Sequence, residues 1–108
     1  MNTLELEVIK RIKHDDLKAF DLLFTGYYSQ LCNYAVDFLK NKQAAEELVS
    51  DVFIKIWENR KLLEIKTSFK SYIYKMVQNQ CLNFLRDNST KKKYGRTISM
   101  ISRILERI

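Results

Sequence analysis

Apolar residues recur every three or four positions along most of the chain, which is the spacing of one face of an α-helix. The first periodic segment covers about residues 3–13, with an apolar face at Leu4, Val8, Ile9 and Ile12. Asp15 or Asp16 can cap a second helix, because a carboxylate there accepts hydrogen bonds from the free amides of the first turn. That second helix is long, and its apolar stripe consists of Leu17, Phe20, Leu23, Phe24, Tyr27, Leu31, Tyr34, Ala35, Phe38 and Leu39.

Three interruptions of the pattern mark a candidate kink, a helix boundary and a loop. Gly26 lies inside the second helix, where its cost in backbone entropy favours a kink or a close helix contact. Asn41 and Lys42 begin a polar break before the third helix. The periodicity lapses between Arg60 and Thr67, which predicts a loop.

Two more helices complete the predicted fold. The third ends near Asn59 and has its core stripe at Ala45, Leu48, Val49, Val52, Phe53, Ile56 and Trp57. The fourth is capped by the hydroxyl of Thr67 or Ser68 and runs to Asp87 or beyond, with core candidates Phe69, Ile73, Met76, Val77, Leu82 and Leu85. The chain has no proline and two glycines, so it lacks the turn residues that closely spaced strands need. We expect an all-α compact bundle of about four helices, followed by a short amphipathic segment at Ile98, Ile101, Ile104 or Leu105, and Ile108.

Composition narrows the class of protein. A chain of 108 residues, 46% hydrophobic and 30% charged, is expected to fold as one globular domain. It has no secretion signal and no apolar run near the about 20 residues of a membrane span, so we expect a cytoplasmic protein. Cys32 and Cys81 are expected to be buried reduced thiols. With one histidine, His14, no Gly-rich phosphate loop and no metal-ligand spacing, the sequence predicts neither an enzyme nor a metal or other cofactor.

The formal net charge of +6 is concentrated near the C-terminus. Residues 1–85 contain 12 Lys and Arg against 11 Asp and Glu, whereas residues 86–108 contain 7 against 2. A localised basic segment is typical of a nucleic-acid-binding protein, and a solvated helix end gives the same count.

Two polar surfaces are candidates for function. On the third helix, the face opposite the core stripe carries Glu47, Asp51, Ile54 and Glu58, which is either a solvated face or a docking surface for a basic partner helix. The predicted loop and the start of the fourth helix combine cations, hydroxyls, aromatic rings and an amide: Lys66, Thr67, Ser68, Phe69, Lys70, Tyr72, Tyr74, Lys75 and Asn79. Single-stranded DNA binding uses this mixture, since cations neutralise phosphates and aromatic faces stack on bases. Some of these aromatic residues are equally expected in the core, namely Phe69 and one of the two tyrosines.

Four blocks of the sequence together resemble region 2 of the extracytoplasmic-function (ECF) sigma factors of the sigma-70 family. They are Asp16-x-x-Ala19-Phe20 with Leu23-Phe24 and Tyr27-Tyr28; residues 45–57, AEELVSDVFIKIW; residues 68–79, SFKSYIYKMVQN; and Asn83-x-Leu85-Arg86. The match covers about residues 15–90 with its spacings intact, and this makes it more specific than any one short motif.

The resemblance implies a sigma-factor domain that binds core RNA polymerase and recognises and melts the minus-ten promoter element. Its third helix would dock on the clamp helices of the β′ subunit through Glu47, Ser50, Asp51 and Ile54, with Trp57 against the core. The loop and fourth helix would capture the non-template single strand of promoter DNA. The DNA-binding residues would be Lys66, Thr67, Ser68, Phe69, Lys70, Tyr72, Lys75, Asn79, Asn83, Arg86, Lys91, Lys92 and Lys93. The family is not enzymatic, needs no cofactor and is often held by an anti-sigma factor.

The sequence departs from the family pattern in two respects. Ser50 stands where the family usually has glutamine, which puts that polymerase contact in doubt. The family also continues into a helix-turn-helix domain that has no match here, so residues 1–94 are expected to form the helical domain and residues 95–108 the start of a linker toward a missing domain. The alternatives are a helical protein-interaction module with a non-specific basic tail, a small helical enzyme, and a duplex-binding helix-turn-helix.

Overall fold

Four α-helices and one short 3₁₀ turn account for nearly all of the described chain. The computed structural model describes residues 2–91, with side chains for residues 2–87. The helices are α1 (Thr3–Lys13), α2 (Leu17–Leu39), α3 (Lys42–Glu58) and α4 (Phe69–Lys91), and the 3₁₀ turn is Arg60–Leu62. No strand occurs within residues 2–91. The all-α prediction and the bounds of its four helices are therefore confirmed, whereas Lys92, Lys93 and the predicted segment 95–108 lie outside the described residues.

A side-chain oxygen caps the start of each helix. Asn2 Oδ1 accepts from the Glu5 amide at 2.8 Å, and Asn41 Oδ1 accepts from the Ala44 amide at 3.0 Å. Asp16, one of the two predicted caps, accepts from two amides of α2, and the Ser68 hydroxyl accepts from the Ser71 amide at 3.1 Å. Each such bond satisfies an amide that the helix leaves unpaired, which is why the polar breaks in the sequence coincide with the helix starts.

The core is formed where α2, α3 and α4 pack together, with α1 laid against α2. The buried hydrophobic side chains are Ile9, Ile12, Ala19, Leu31, Cys32, Ala35, Ala45, Leu48, Val49, Val52, Phe53, Ile56, Leu63, Phe69, Ile73, Val77 and Cys81. Both cysteines are buried free thiols, as expected from the sequence. Burial raises the pKa of the Cys81 thiol to about 12.

Two residues of the predicted apolar stripes lie outside the core, and the close helix contact predicted at Gly26 is wrong. Leu4 and Leu17 share the apolar faces of α1 and α2, yet their side chains are 76% and 61% exposed. Both residues lie in the first turn of a helix. Periodicity shows which face of the helix a side chain is on, but it does not show whether a neighbouring helix extends far enough to cover that turn. Gly26 is exposed inside an uninterrupted α2, and a Cβ there would have nothing within 4 Å, so no close helix contact requires glycine.

None of the helices within the described residues is long and apolar enough to cross a lipid bilayer.

We expect Phe53→Ala to lower the free energy of unfolding by about 3–5 kcal/mol, because it leaves a cavity among packed rings. Phe53 is 1% exposed and its ring packs edge-on against Phe24 at 5.0 Å and Phe20 at 6.1 Å. Leu22→Ala is the control, since Leu22 is 66% exposed, and its effect should stay within about 0.5 kcal/mol. Urea unfolding followed by circular dichroism measures both, and equal effects would contradict the proposed core.

Candidate nucleic-acid and protein interfaces

The outer side of α3 carries the predicted acidic strip. Glu47, Asp51 and Glu58 are exposed, and Ile54 between them is 53% exposed. The opposite side of the same helix is buried in the core. This surface, here called the acidic face, thus combines three carboxylates with one apolar side chain that has no place in the core.

A shallow apolar groove borders the acidic face on the α2 side. It has a volume of about 280 Å³ and is lined by Leu17, Phe20, Phe24, Ser50, Phe53, Ile54 and Trp57. Trp57 packs on Phe20 with ring centroids 5.1 Å apart. Apolar surface continues along α2 past Leu22 in a larger depression of about 720 Å³. The sequence pattern assigned Leu17, Phe20 and Phe24 to the core and so missed this groove.

A smaller and more polar groove borders the acidic face on the α4 side. Its volume is about 220 Å³, and its lining is Ala44, Glu47, Leu48, Asp51, Lys55, Gln80, Asn83, Phe84 and Asp87. Asn83 therefore lies beside the acidic face and not with Lys66, Lys75 and Asn79. Its side-chain oxygen accepts from Arg86 Nη1, another predicted DNA-binding residue, at 3.2 Å. One helical step of four residues from Asn79 turns the side chain by about 40°, which suffices to move it toward α3.

The second candidate surface is a cleft between the α3–α4 loop and the first turns of α4. This loop cleft has a volume of about 480 Å³ and is lined by Ile65, Lys66, Thr67, Ser71, Tyr72, Lys75, Met76 and Asn79. The structure thus brings together five of the predicted DNA-binding residues: Lys66, Thr67, Tyr72, Lys75 and Asn79. Their polar groups are exposed except for Tyr72, which is half-buried. Ile65, Ser71 and Met76 were not among the DNA-binding residues predicted from the sequence. Ser71 and Met76 nevertheless lie on the same helix face as Tyr72, Lys75 and Asn79, and Ile65 lies in the adjoining loop.

The remaining residues of this block have different positions. Phe69 is fully buried, with its ring 5.3 Å from that of Tyr27, so the structure places it in the core and not at a DNA-contacting surface. Ser68 caps α4. Lys70 is exposed but does not line the loop cleft. The Tyr74 hydroxyl donates to Gln30 Oε1 at 2.9 Å, which directs Tyr74 toward α2.

The loop begins with an ionic cluster that ties it to the α1–α2 turn. Arg60 Nε lies 2.7 Å and Lys61 Nζ 3.0 Å from Asp15 Oδ1, and Lys61 Nζ also donates to the Lys13 carbonyl at 2.6 Å. The Arg60 guanidinium lies 4.2 Å from the centre of the Trp57 ring. The hydrogen bond from Arg60, followed by that from Lys61, holds the pKa of the Asp15 carboxyl below its ordinary value of 3.8.

The end of the loop is tied to α1 by a second carboxylate. Glu5 Oε1 accepts from the Phe69 amide, the first residue of α4, at 2.8 Å. Between the two ends, Leu63 is buried in the core at 4% exposure. Sequence reasoning missed both carboxylate contacts, because their partners lie 45 and 64 residues apart and leave no local pattern.

Within residues 2–91, no three side chains of His, Cys, Asp or Glu converge in a group that could hold a metal ion.

Comparison with known proteins identifies the class. The family model Sigma-70 region 2 matches residues 23–91, which contain the acidic face and the loop cleft. The chain belongs to this family, whose members are domains of non-enzymatic transcription initiation factors. It is also 25% identical over 79 residues to the RNA polymerase sigma-H factor of Pseudomonas aeruginosa, an alignment of 73% of this chain and 41% of that protein. The chain thus spans about two fifths of that relative's length. No solved structure matches the chain.

We expect Arg60→Gln to raise the pKa of Asp15 toward 3.8, because it removes the strongest donor to the carboxylate. A lowered pKa means that the folded state favours the charged form of Asp15. The contribution of the ion pair to the free energy of unfolding is therefore present above pH 3.8 and is lost as the pH falls through the lowered pKa. Titration of the Asp15 carboxyl by NMR measures the shift. Arg11→Gln is the control, since Arg11 pairs with Glu7, and an unchanged Asp15 pKa in Arg60→Gln would contradict the ion pair.

Proposed function

We propose that this chain is the polymerase-binding and minus-ten recognition part of an RNA polymerase sigma factor of the extracytoplasmic-function type. The observation that carries the proposal is the loop cleft, in which two lysines, a tyrosine, hydroxyl groups and an amide from the α3–α4 loop and from α4 line one space. A family domain with such a cleft on one side and an acidic face elsewhere has the means to hold DNA and a protein at the same time. No catalytic step is required of it.

The chemistry of the loop cleft suits an unpaired base of the non-template strand. Tyr72 and Met76 provide the apolar wall on which a base can stack, an interaction worth about 1–3 kcal/mol for an aromatic ring. Lys66 and Lys75 neutralise adjoining phosphates, and the Asn79 amide can both donate to and accept from a base edge. Lys70 and Arg86, both exposed, would extend the phosphate contacts, as would Lys91, Lys92 and Lys93 of the predicted basic segment.

The acidic face suits the clamp helices of the polymerase β′ subunit. Glu47 and Asp51 would pair with basic side chains at the edge of a partner helix, and Ile54 would enter its apolar stripe. The apolar groove beside Ile54 adds surface for the same helix. Ser50 lines this groove, and its small side chain leaves open the space that a glutamine would fill.

The setting follows from these partners. Core polymerase and promoter DNA are in the cytoplasm, so the protein would act there without membrane insertion. An anti-sigma factor would inhibit it by covering the acidic face or the loop cleft, since either loss prevents initiation.

We expect Asp51→Lys to weaken binding to the β′ clamp helices about 100-fold with the fold retained, because it places a cation against basic partner residues. Binding of the full chain to the isolated clamp helices, followed by calorimetry, measures the change. Asp37→Lys is the matched control: Asp37 is an exposed acid on α2 that lines none of the grooves. Undiminished binding of Asp51→Lys, or equal loss in both variants, would count against the docking surface.

We expect Asn79→Ala to reduce discrimination between the preferred and a scrambled single strand about tenfold, because it removes the amide that reads the base edge. The preferred strand is selected from a random library by the chain bound to core polymerase, and fluorescence anisotropy measures both affinities. Asn33→Ala, an exposed asparagine on α2, is the control. Equal loss on both strands would make Asn79 a phosphate contact, and binding that vanishes at moderate salt without any preference would indicate a non-specific basic tail instead.

A further inference from the structure

Helix α1 and the turn that follows it contact both ends of the loop that forms the loop cleft. At its start, Arg60 and Lys61 are held by Asp15 and by the Lys13 carbonyl. At its end, Glu5 accepts the Phe69 amide at 2.8 Å. The contacts come from opposite ends of α1, and this segment precedes residues 23–91 that match the family model.

Helix α1 is itself a rigid support. Ile12 is fully buried and Ile9 is 8% exposed, so the inner side of α1 is fixed to the core. Glu5 and Asp15 therefore belong to a segment that the core holds in place through Ile9 and Ile12. Leu63 adds an attachment in the middle of the loop, and it leaves Lys66 and Thr67 in the span between Leu63 and Phe69.

Base selection depends on a loop that is ordered before DNA arrives. A cleft that becomes ordered only on binding has a lower affinity for DNA, because ordering it costs free energy. A mobile cleft also adapts to the wrong base as well as to the right one, so it discriminates less between bases. Glu5 acts at the sensitive point, because its contact, together with the Ser68 cap, holds the first turn of α4. The position of this turn decides where Tyr72, Lys75 and Asn79 stand relative to Lys66. Its carboxylate also occupies the first amide of α4, a group that would otherwise attract a DNA phosphate.

We infer that Glu5 is a positioning residue for base selection, which holds the loop cleft in shape through the Phe69 amide while Asp15 holds the other end of the loop. The inference rests on the proposed function, because it concerns the same cleft. It assigns to α1 a part in promoter recognition although no residue of α1 lines the cleft.

The test compares three variants of the chain. Glu5→Ala removes the accepting oxygen, Glu5→Gln keeps an accepting oxygen at the same reach without the charge, and Glu7→Ala removes the same charge from the same helix. Glu7 is exposed and pairs with Arg11, four residues away, so its loss should leave the loop untouched. Hydrogen exchange at the Phe69 amide reports the contact, and the ratio of affinities for the preferred and scrambled strands reports base selection.

We expect Glu5→Ala to accelerate exchange of the Phe69 amide and to lower the affinity ratio about fivefold, with affinity for the scrambled strand not reduced. Glu5→Gln should recover most of the ratio, and Glu7→Ala should retain it fully. These results together would separate positioning from charge, since both alanine variants remove one negative charge near the DNA.

Three outcomes would overturn the inference. An unchanged ratio in Glu5→Ala would show that the contact does not govern selection, and equal weakening on both strands would reduce Glu5 to a structural residue. Failure of Glu5→Gln to recover the ratio would make charge, not position, the cause. If the wild-type chain on core polymerase shows no strand preference at all, the proposed function itself fails. This failure is distinguished from failure of the Glu5 inference, because it is seen before any variant is measured.

Discussion

The burial of the inner side of α3 between α2 and α4 is the constraint on which the rest of the structure depends. Val49, Val52, Phe53 and Ile56 are almost fully excluded from solvent, and the ring of Phe53 is enclosed by aromatic neighbours on α2. Because one side of the helix is committed to the core, the other must face outward whatever its composition. The acidic face is exposed for this reason, and its two bordering grooves are the seams where α3 meets its neighbours.

The loop that follows α3 shows how a small domain keeps an irregular segment in one conformation. It has neither a long helix nor a sheet to order it, and it is held instead by the ionic cluster at Asp15, by Leu63 in the core and by the Glu5 carboxylate. Surface ion pairs contribute little to stability on average, because solvent screens them and ordering both side chains costs entropy. Several attachments along one short segment nevertheless restrict its shape, and the lowered pKa of Asp15 is the electrostatic sign of one of them.

Charge is also separated in space within this chain. Glu47, Asp51 and Glu58 lie on α3, whereas Lys66, Lys70 and Lys75 lie on the loop and on α4. At physiological salt, screening acts over about 8 Å, so a partner at either surface responds mainly to the charges nearest to it. In the proposed function this separation lets an anionic strand and a basic protein helix bind the same domain without competing.

By itself, the sequence determined the helices and the outward acidic face, and it narrowed the caps of α2 and α4 to two adjacent residues each. These features depend on local spacing and on hydrogen bonds within three residues of a helix start. It also brought Lys66, Tyr72, Lys75 and Asn79 into one candidate site, since they are close along the chain. Only the tertiary structure decided that Phe69 belongs to the core, that Asn83 turns toward α3 and that Leu17 borders a groove. The contacts of Glu5 and Asp15 were decided in the same way: their partners are distant in sequence, and only packing of α1 against the folded bundle brings such groups within hydrogen-bonding distance.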